Sequence, residues 1–218
     1  VRIALVNPNT SARTTEAMRQ IAGRAAAGIR VDGVTAPFGA PLITCPAALE
    51  DAGRAVLALA PRLARHDAVI VAAFGDPGLE ALRGRLSVPV TGIAEAAMRE
   101  AGRKERPFAV VTTTPDLRDV IAARAERGGH RFLGTWVTPG DPAALMEDRT
   151  ALEEALLTAC RDAVAAGAEA VIIGGGPLAE AARALAPRLP APLIEPVPAA
   201  VRLIVARLEG EDRSSMPP

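Results

Sequence analysis

Short apolar runs recur along the chain, each ending in small or polar residues: Ile3 to Val6, Val69 to Ala73, Phe108 to Val111 and Val171 to Ile173. Runs this short, bounded by turn-forming residues, predict buried strands of a parallel sheet. Between them lie longer stretches with apolar residues at helical spacing, Thr14 to Ala27, Ala48 to Ala64, Arg118 to Arg127 and Ala151 to Ala166. Alternation of this kind builds βαβ units, so the pattern predicts an α/β fold with parallel, doubly wound sheet. A chain of 218 residues suffices for one large α/β domain or two small ones.

The pattern also repeats. DAVIVAAFGDPGLEAL from Asp67 parallels EAVIIGGGPLAEAARAL from Glu169: a strand, a small-residue turn, then a helix. Ala68 matches Ala170 and Ala73 matches Gly175, an offset of 102. VPVTGIAEAAM from Val88 matches APLIEPVPAAV from Ala191 with one residue of slippage, and IALVNPNT from Ile3 matches FAVVTTTP from Phe108 with an offset of 105. Three matched pieces in one order imply duplication. Two such lobes would turn the C-terminal ends of their strands towards a shared cleft, and that is the edge at which open parallel sheets bind ligands.

Composition narrows the function. The 25 basic and 25 acidic side chains cancel, so no net field recruits a polyanion, and four Phe, one Trp and no Tyr leave little on which bases could stack. Nucleic acid is therefore not an expected partner. No apolar run approaches the ~18 residues that cross a bilayer, and VRIALVN is too short and too soon polar for a signal peptide, so the expectation is a cytoplasmic protein with no membrane partner. Cys45 and Cys160 make neither a disulfide framework nor, with His66 and His130, a zinc pattern; no metal is expected. Both histidines read as surface residues. The polar tail from Gly210, GEDRSSMPP, reads as disordered or as an ordinary chain end.

Four strand-end loops would meet in the cleft. Asn7-Pro8-Asn9-Thr10-Ser11 offers two amides and two hydroxyls just before a helix, either as an anion cradle or as an N-cap and turn. Its duplicate, Thr112-Thr113-Thr114-Pro115-Asp116, carries the same two readings. Ala73-Phe74-Gly75-Asp76-Pro77-Gly78 and Gly174-Gly175-Gly176-Pro177 are small-residue turns whose backbone can approach a ligand closely. Neither turn has the spacing of a Walker A or dinucleotide loop, so no nucleotide cofactor is expected.

NPNTS at Asn7 to Ser11, FGDPGL at Phe74 to Leu79, VPVTGIAEAA at Val88 to Ala97, VVTTT at Val110 to Thr114 and the strand-turn at Val171 to Gly176 give the chain its resemblance to the aspartate/glutamate/hydantoin racemase superfamily, most closely to the hydantoin and allantoin racemase branch. The resemblance covers nearly the whole chain. It implies two similar doubly wound lobes related by a pseudo-twofold, here 1–95 with 196–218 and 96–195, closing over a small carboxylate or hydantoin-like substrate. A cofactor-independent, homo-oligomeric enzyme is also implied. Asn9, Thr10, Thr112 and Thr113 would hold the substrate, with Ala73, Phe74, Gly75, Gly175 and Gly176 of the two turns.

The resemblance breaks at two positions. Family racemases carry a thiol before the FGDPGL-like turn and another in the second lobe's turn, where this chain has Ala73 and Gly175. Neither can move a proton, because general acid–base catalysis needs a titratable group at the reacting carbon. Asp76 and Cys45 are the candidate acid–base replacements, with Glu95 and Glu195 behind them; carboxylates beside turns also serve as helix caps. Cys160, inside a helical pattern, reads as a small core residue. The missing thiols imply extra volume for a larger substrate. Two functions follow: a racemase-family enzyme of isomerase or lyase type without paired-thiol chemistry, or a binding or regulatory protein that has kept the pocket.

Overall fold

The computed structural model describes residues 1–26 and 28–210, without the side chain of Pro177. The polar tail beyond Gly210 lies outside the described residues. Among the described residues, eight strands form two four-stranded parallel sheets. The first holds β1 (Arg2–Asn7), β2 (Arg30–Thr35), β3 (Ala68–Val71) and β4 (Val90–Gly92) in the order β2-β1-β3-β4. The second holds β5 (Phe108–Thr112), β6 (Phe132–Val137), β7 (Ala170–Ile173) and β8 (Leu193–Ile194) in the order β6-β5-β7-β8, the same topology.

Register carries the repeat into three dimensions. Ile3 lies opposite Ala68 and Val69 opposite Val90; in the second sheet Phe108 lies opposite Ala170 and Val171 opposite Leu193. The equivalent residues stand 105, 102 and 103 apart, as the sequence repeat has them. Alternate residues of the central strands face two different cores. Ile3, Leu5, Phe108 and Val110 enter one cluster that joins the lobes, whereas Ala4 and Val6, and Ala109 and Val111, enter the outer clusters of their own lobes. Burial on both faces is what makes these strands read as unbroken apolar runs.

Ten helices flank the sheets: α1 (Ala12–Ala25), α2 (Pro46–Ala58), α3 (Ala60–Leu63), α4 (Leu79–Arg83), α5 (Ile93–Ala101), α6 (Arg118–Arg127), α7 (Pro142–Glu147), α8 (Arg149–Ala165), α9 (Ala179–Leu185) and α10 (Pro196–Glu209) among the described residues. Met18 and Ile21 of α1, Ile93 and Ala97 of α5, Ile121 of α6 and Val201 and Ile204 of α10 build the core between the lobes. The helix expected over Ala48 to Ala64 is broken at Leu59. Pro61 is the reason, since its ring displaces the carbonyl four residues back and it has no N–H to continue the helix. The edge strands β2 and β6 escape the apolar-run pattern because Asp32-Gly33 and Gly134-Thr135 interrupt them; an edge strand has one neighbour and needs less continuous apolarity. No helix among the described residues is long and apolar enough to cross a membrane.

His66 is not a surface residue. It is buried, with Nε2 3.4 Å from the Asp32 carboxylate of the first lobe's edge strand.

Candidate functional site

The C-terminal ends of β1, β3, β5 and β7 enclose a cavity of about 50 Å³, and all four predicted loops contribute to its lining. Such a volume holds a few water-sized groups. The first lobe supplies Asn9 after β1, and Ala72, Ala73 and Phe74 after β3; the second supplies Thr112, Thr113 and Thr114 after β5, and Gly174, Gly175 and Gly176 after β7. Leu42, Ile43, Leu117, Ile121 and Leu178 complete the wall. These five were not foreseen, because an apolar residue facing a cavity has the same sequence signature as one facing the core.

Asn9 is set by its own loop. Its side-chain oxygen accepts from Asn7 Nδ2 at 2.6 Å and from the Ser11 N–H at 2.9 Å, while Asn7 Nδ2 also donates to the Ser11 carbonyl and to Thr15 Oγ1. Ser11 in turn caps α1 by accepting from the Thr14 N–H at 3.2 Å. The loop is therefore both cap and cradle: with its oxygen committed, Asn9 keeps its NH2 group, which has no partner among the described residues. Across the cavity, Thr112 and Thr114 share a hydroxyl–hydroxyl bond at 2.9 Å, whereas the Thr113 hydroxyl has no partner among the described residues. One free amide and one free hydroxyl thus line opposite lobes.

The glycines of the second turn serve packing as much as approach. A Cβ at Gly174 would lie 2.9 Å from the Phe74 ring, and one at Gly176 would lie 2.6 Å from Met18 Sδ and 3.2 Å from the Ala72 carbonyl. A Cβ at Gly175 would lie 3.1 Å from Leu178 Cδ1. The expectation of extra room for a larger substrate is corrected by these contacts: Leu178 occupies the space beside Gly175, and the cavity is small.

Thr10, Gly75, Asp76 and Cys45 are not brought to the cavity lining. Thr10 is tied through its N–H to the Ala40 carbonyl at 3.1 Å, and Gly75, with φ of 115°, backs onto Leu49. Cys45 is the half-buried N-cap residue of α2. Cys160 is buried in the second lobe's outer core, where burial pushes its thiol up to about 12. Asp76 acts as a helix cap: its two oxygens accept from the Ala94 and Glu95 N–H groups at 2.9 and 2.8 Å, and Arg124 of α6 pairs with it at 2.8 Å. Burial pushes its carboxyl up to about 6, against the pull of Arg124 and the two N–H groups. Glu95 is committed to Arg83 and Arg207, at 2.5 and 2.8 Å, and Glu195 pairs with Arg183 at 3.5 Å.

The duplicate lobe explains the cap. The residue equivalent to Asp76 is Leu178, and those equivalent to Ala94 and Glu95 are Val197 and Pro198. Proline at 196 and 198 removes helix donors from the start of α10, so no carboxylate is required there. Among the described residues lining the cavity, no side chain is titratable. No group of three or more His, Cys, Asp or Glu that could hold a metal comes together among the described residues.

Fold and site together define a two-lobed, internally duplicated α/β protein with a small interlobe cavity at its strand ends. The model of the Asp/Glu/hydantoin racemase family matches residues 3–204, and the chain belongs to that family. It is 31% identical over 216 residues to a hydantoin racemase of Paenarthrobacter aurescens, covering 93% of this chain and 89% of the relative. The allantoin racemase of Klebsiella pneumoniae superposes with a TM-score of 0.89 at 32% identity, covering 97% of this chain and 89% of that one. Arylmalonate decarboxylase shares the fold at 18% identity and a TM-score of 0.67, covering 100% of this chain and 96% of that one.

Proposed function

We propose that the chain binds a compact carboxylate or cyclic amide of the hydantoin class between its lobes, and acts on it as an isomerase- or lyase-type enzyme without paired-thiol proton transfer. One observation carries this reading: the cavity has a free amide on Asn9 and a free hydroxyl on Thr113, while a methyl group and a hydrogen stand at 73 and 175. Hydrogen-bond donors aimed at a carbonyl or carboxylate stabilise negative charge that develops there. Leu42, Ile43, Phe74 and Leu178 surround them with apolar surface, which excludes water and strengthens each polar contact. The small volume favours a single ring or a short acid over a nucleotide. The relatives' names, hydantoin and allantoin racemase, point to the same chemical class.

A second reading, a binding protein without turnover, is favoured by the lack of a titratable side chain in the described lining. Two measurements separate the readings. A thermal-shift series with allantoin, 5-substituted hydantoins, aspartate and malonates reports binding, because a ligand of the folded state raises apparent stability. Proton exchange at the ring carbon or Cα in deuterated water, followed by NMR, reports chemistry. Binding with no exchange and no product supports the second reading; failure of every such ligand to bind sinks both. Ala73→Cys combined with Gly175→Cys is expected to restore exchange on a bound hydantoin.

A further inference from the structure

The chain has two asparagines, Asn7 and Asn9, and both stand in the loop that follows β1. Asn9 lines the interlobe cavity; Asn7 is wholly buried behind it. The Asn7 amide can point only one way. Its Oδ1 accepts from the Asn9 N–H at 3.2 Å, and its Nδ2 lies 3.1 Å from the Ser11 carbonyl. A backbone N–H only donates and a carbonyl only accepts, so reversing this amide would lose both bonds. Nδ2 therefore also meets Asn9 Oδ1, at 2.6 Å, and the Ser11 N–H claims the same oxygen at 2.9 Å.

Behind Asn7 the bonds run on to the edge of the sheet. Nδ2 donates to Thr15 Oγ1 of α1 at 3.0 Å, and Thr15 gives its own proton to the Ser11 carbonyl at 3.1 Å. The 2.8 Å bond between Thr15 and Thr35, the last residue of β2, is then one that Thr35 donates. The second lobe repeats the inner half of this arrangement. Thr112 and Thr114 are the equivalents of Asn7 and Asn9 at the repeat offset of 105. Thr112 Oγ1 accepts from the Thr114 N–H at 3.3 Å, and the two hydroxyls lie 2.9 Å apart. The buried Thr112 hydroxyl has no other acceptor among the described residues, so it donates to Thr114. The proton of Thr114, which lines the cavity, is left for a ligand.

We propose that Asn7 and Thr15 in the first lobe, and Thr112 in the second, are positioning residues that turn a hydrogen-bond donor from each lobe into the cavity. Asn9 is held with its NH2 group inward, and Thr114 with its proton inward. An unrestrained asparagine presents its oxygen as readily as its nitrogen and must be ordered when a ligand arrives; one already turned makes its bond without that cost. Acceptor oxygens are thereby selected on two sides of the cavity. The inference rests on the ligand class proposed above and adds the residues that make the pocket selective for it.

Because asparagine occurs at 7 and 9 alone, intact protein labelled at asparagine nitrogen shows two side-chain amide pairs by NMR. Without ligand, the Asn7 pair is expected to exchange with water about tenfold or more slower than the Asn9 pair. Thr15→Val should remove that protection and Thr15→Ser should keep it; Thr35→Val, one bond further out, should weaken it if Thr15→Val does not fold. Calorimetry with allantoin and with malonate reads the consequence. Thr15→Val and Thr112→Val should each weaken the probe that binds by about fivefold, and Thr15→Ser should hold within about twofold, although Thr15 does not line the cavity. Equal exchange of the two amide pairs, or protection of Asn7 that survives loss of the Thr15 and Thr35 hydroxyls, overturns the proposal whether or not a ligand binds. Unchanged affinity in both valine variants overturns it as well. Protection that depends on Thr15, with neither probe bound, supports the positioning and sinks the ligand class instead.

Discussion

Asp76 and Glu95 sit within one charged network yet respond to acid in opposite directions. Burial raises the Asp76 carboxyl from 3.8 to about 6, so the folded chain holds that proton more tightly than the unfolded one. Its contribution to stability is fully present below about pH 3.8 and is lost as pH rises through about 6. For Glu95 burial acts upward as well, but Arg207 and Arg83 outweigh it and leave the carboxyl below 4.5; that contribution is present above pH 4.5 and lost on further acidification. Asp32, bonded by Arg30 and Arg2 and lowered to about 2, adds to the acid-side loss. Urea midpoints are therefore expected to fall on acidification below about pH 4.5 through Glu95 and Asp32, and to fall again as pH rises from about 4.5 to 6 through Asp76, levelling off above; Asp76→Asn is expected to flatten that decline between about pH 4.5 and 6. An unchanged decline over that interval in the variant would remove Asp76 from the titration. At the cavity, Thr113→Val deletes a hydroxyl with no protein partner among the described residues, so stability should hold within about 0.5 kcal/mol. Ligand affinity should fall by roughly fivefold, the worth of about 1 kcal/mol for one hydrogen bond, as calorimetry would show.

Among the elements, two helix glycines carry opposite expectations. Gly23, inside α1, has open space where a Cβ would go, so Gly23→Ala should stabilise by about 0.5–1 kcal/mol through helix propensity and a less flexible unfolded chain. Gly92, at the start of α5, faces the Asp76 carboxylate directly, and a Cβ there would occupy the carboxylate's position. Gly92→Ala should destabilise by about 3 kcal/mol, with denaturant unfolding as the check. Sequence shows each glycine beside a helical pattern and no more. What separates them is the arrival of a carboxylate from another loop, which no local pattern encodes. The same holds for α2 and α3 in reverse: Pro61 breaks the expected long helix by its own covalent geometry, a feature visible in the sequence.

At the scale of the whole molecule, Arg124 of the second lobe is bonded to Asp76 of the first, and its neighbour one turn back, Ile121, lines the cavity. Breaking a buried ion pair by removing one partner strands the other charge. Arg124→Leu should cost about 3–5 kcal/mol at pH 8, with a smaller loss near pH 5 where Asp76 takes up a proton; equal losses at both pH values would show that the pair does not carry the effect. The duplication is legible in the sequence, down to the one-residue slippage that reappears as Val90 and Leu193 in equivalent registers. So are the four loops that meet at the cavity, since strand ends, turns and caps are written in adjacent residues. The ion pair that holds the Asp76 cap and the burial of His66 were not legible there, because their surroundings come from far along the chain: Arg124 for one, Asp32 for the other. The closing of the space beside Gly175 by Leu178 was equally hidden. Strand and helix periodicity is a local property of the backbone and can be read residue by residue, whereas burial, ion pairing and cavity volume arise only when distant segments exclude water from one another.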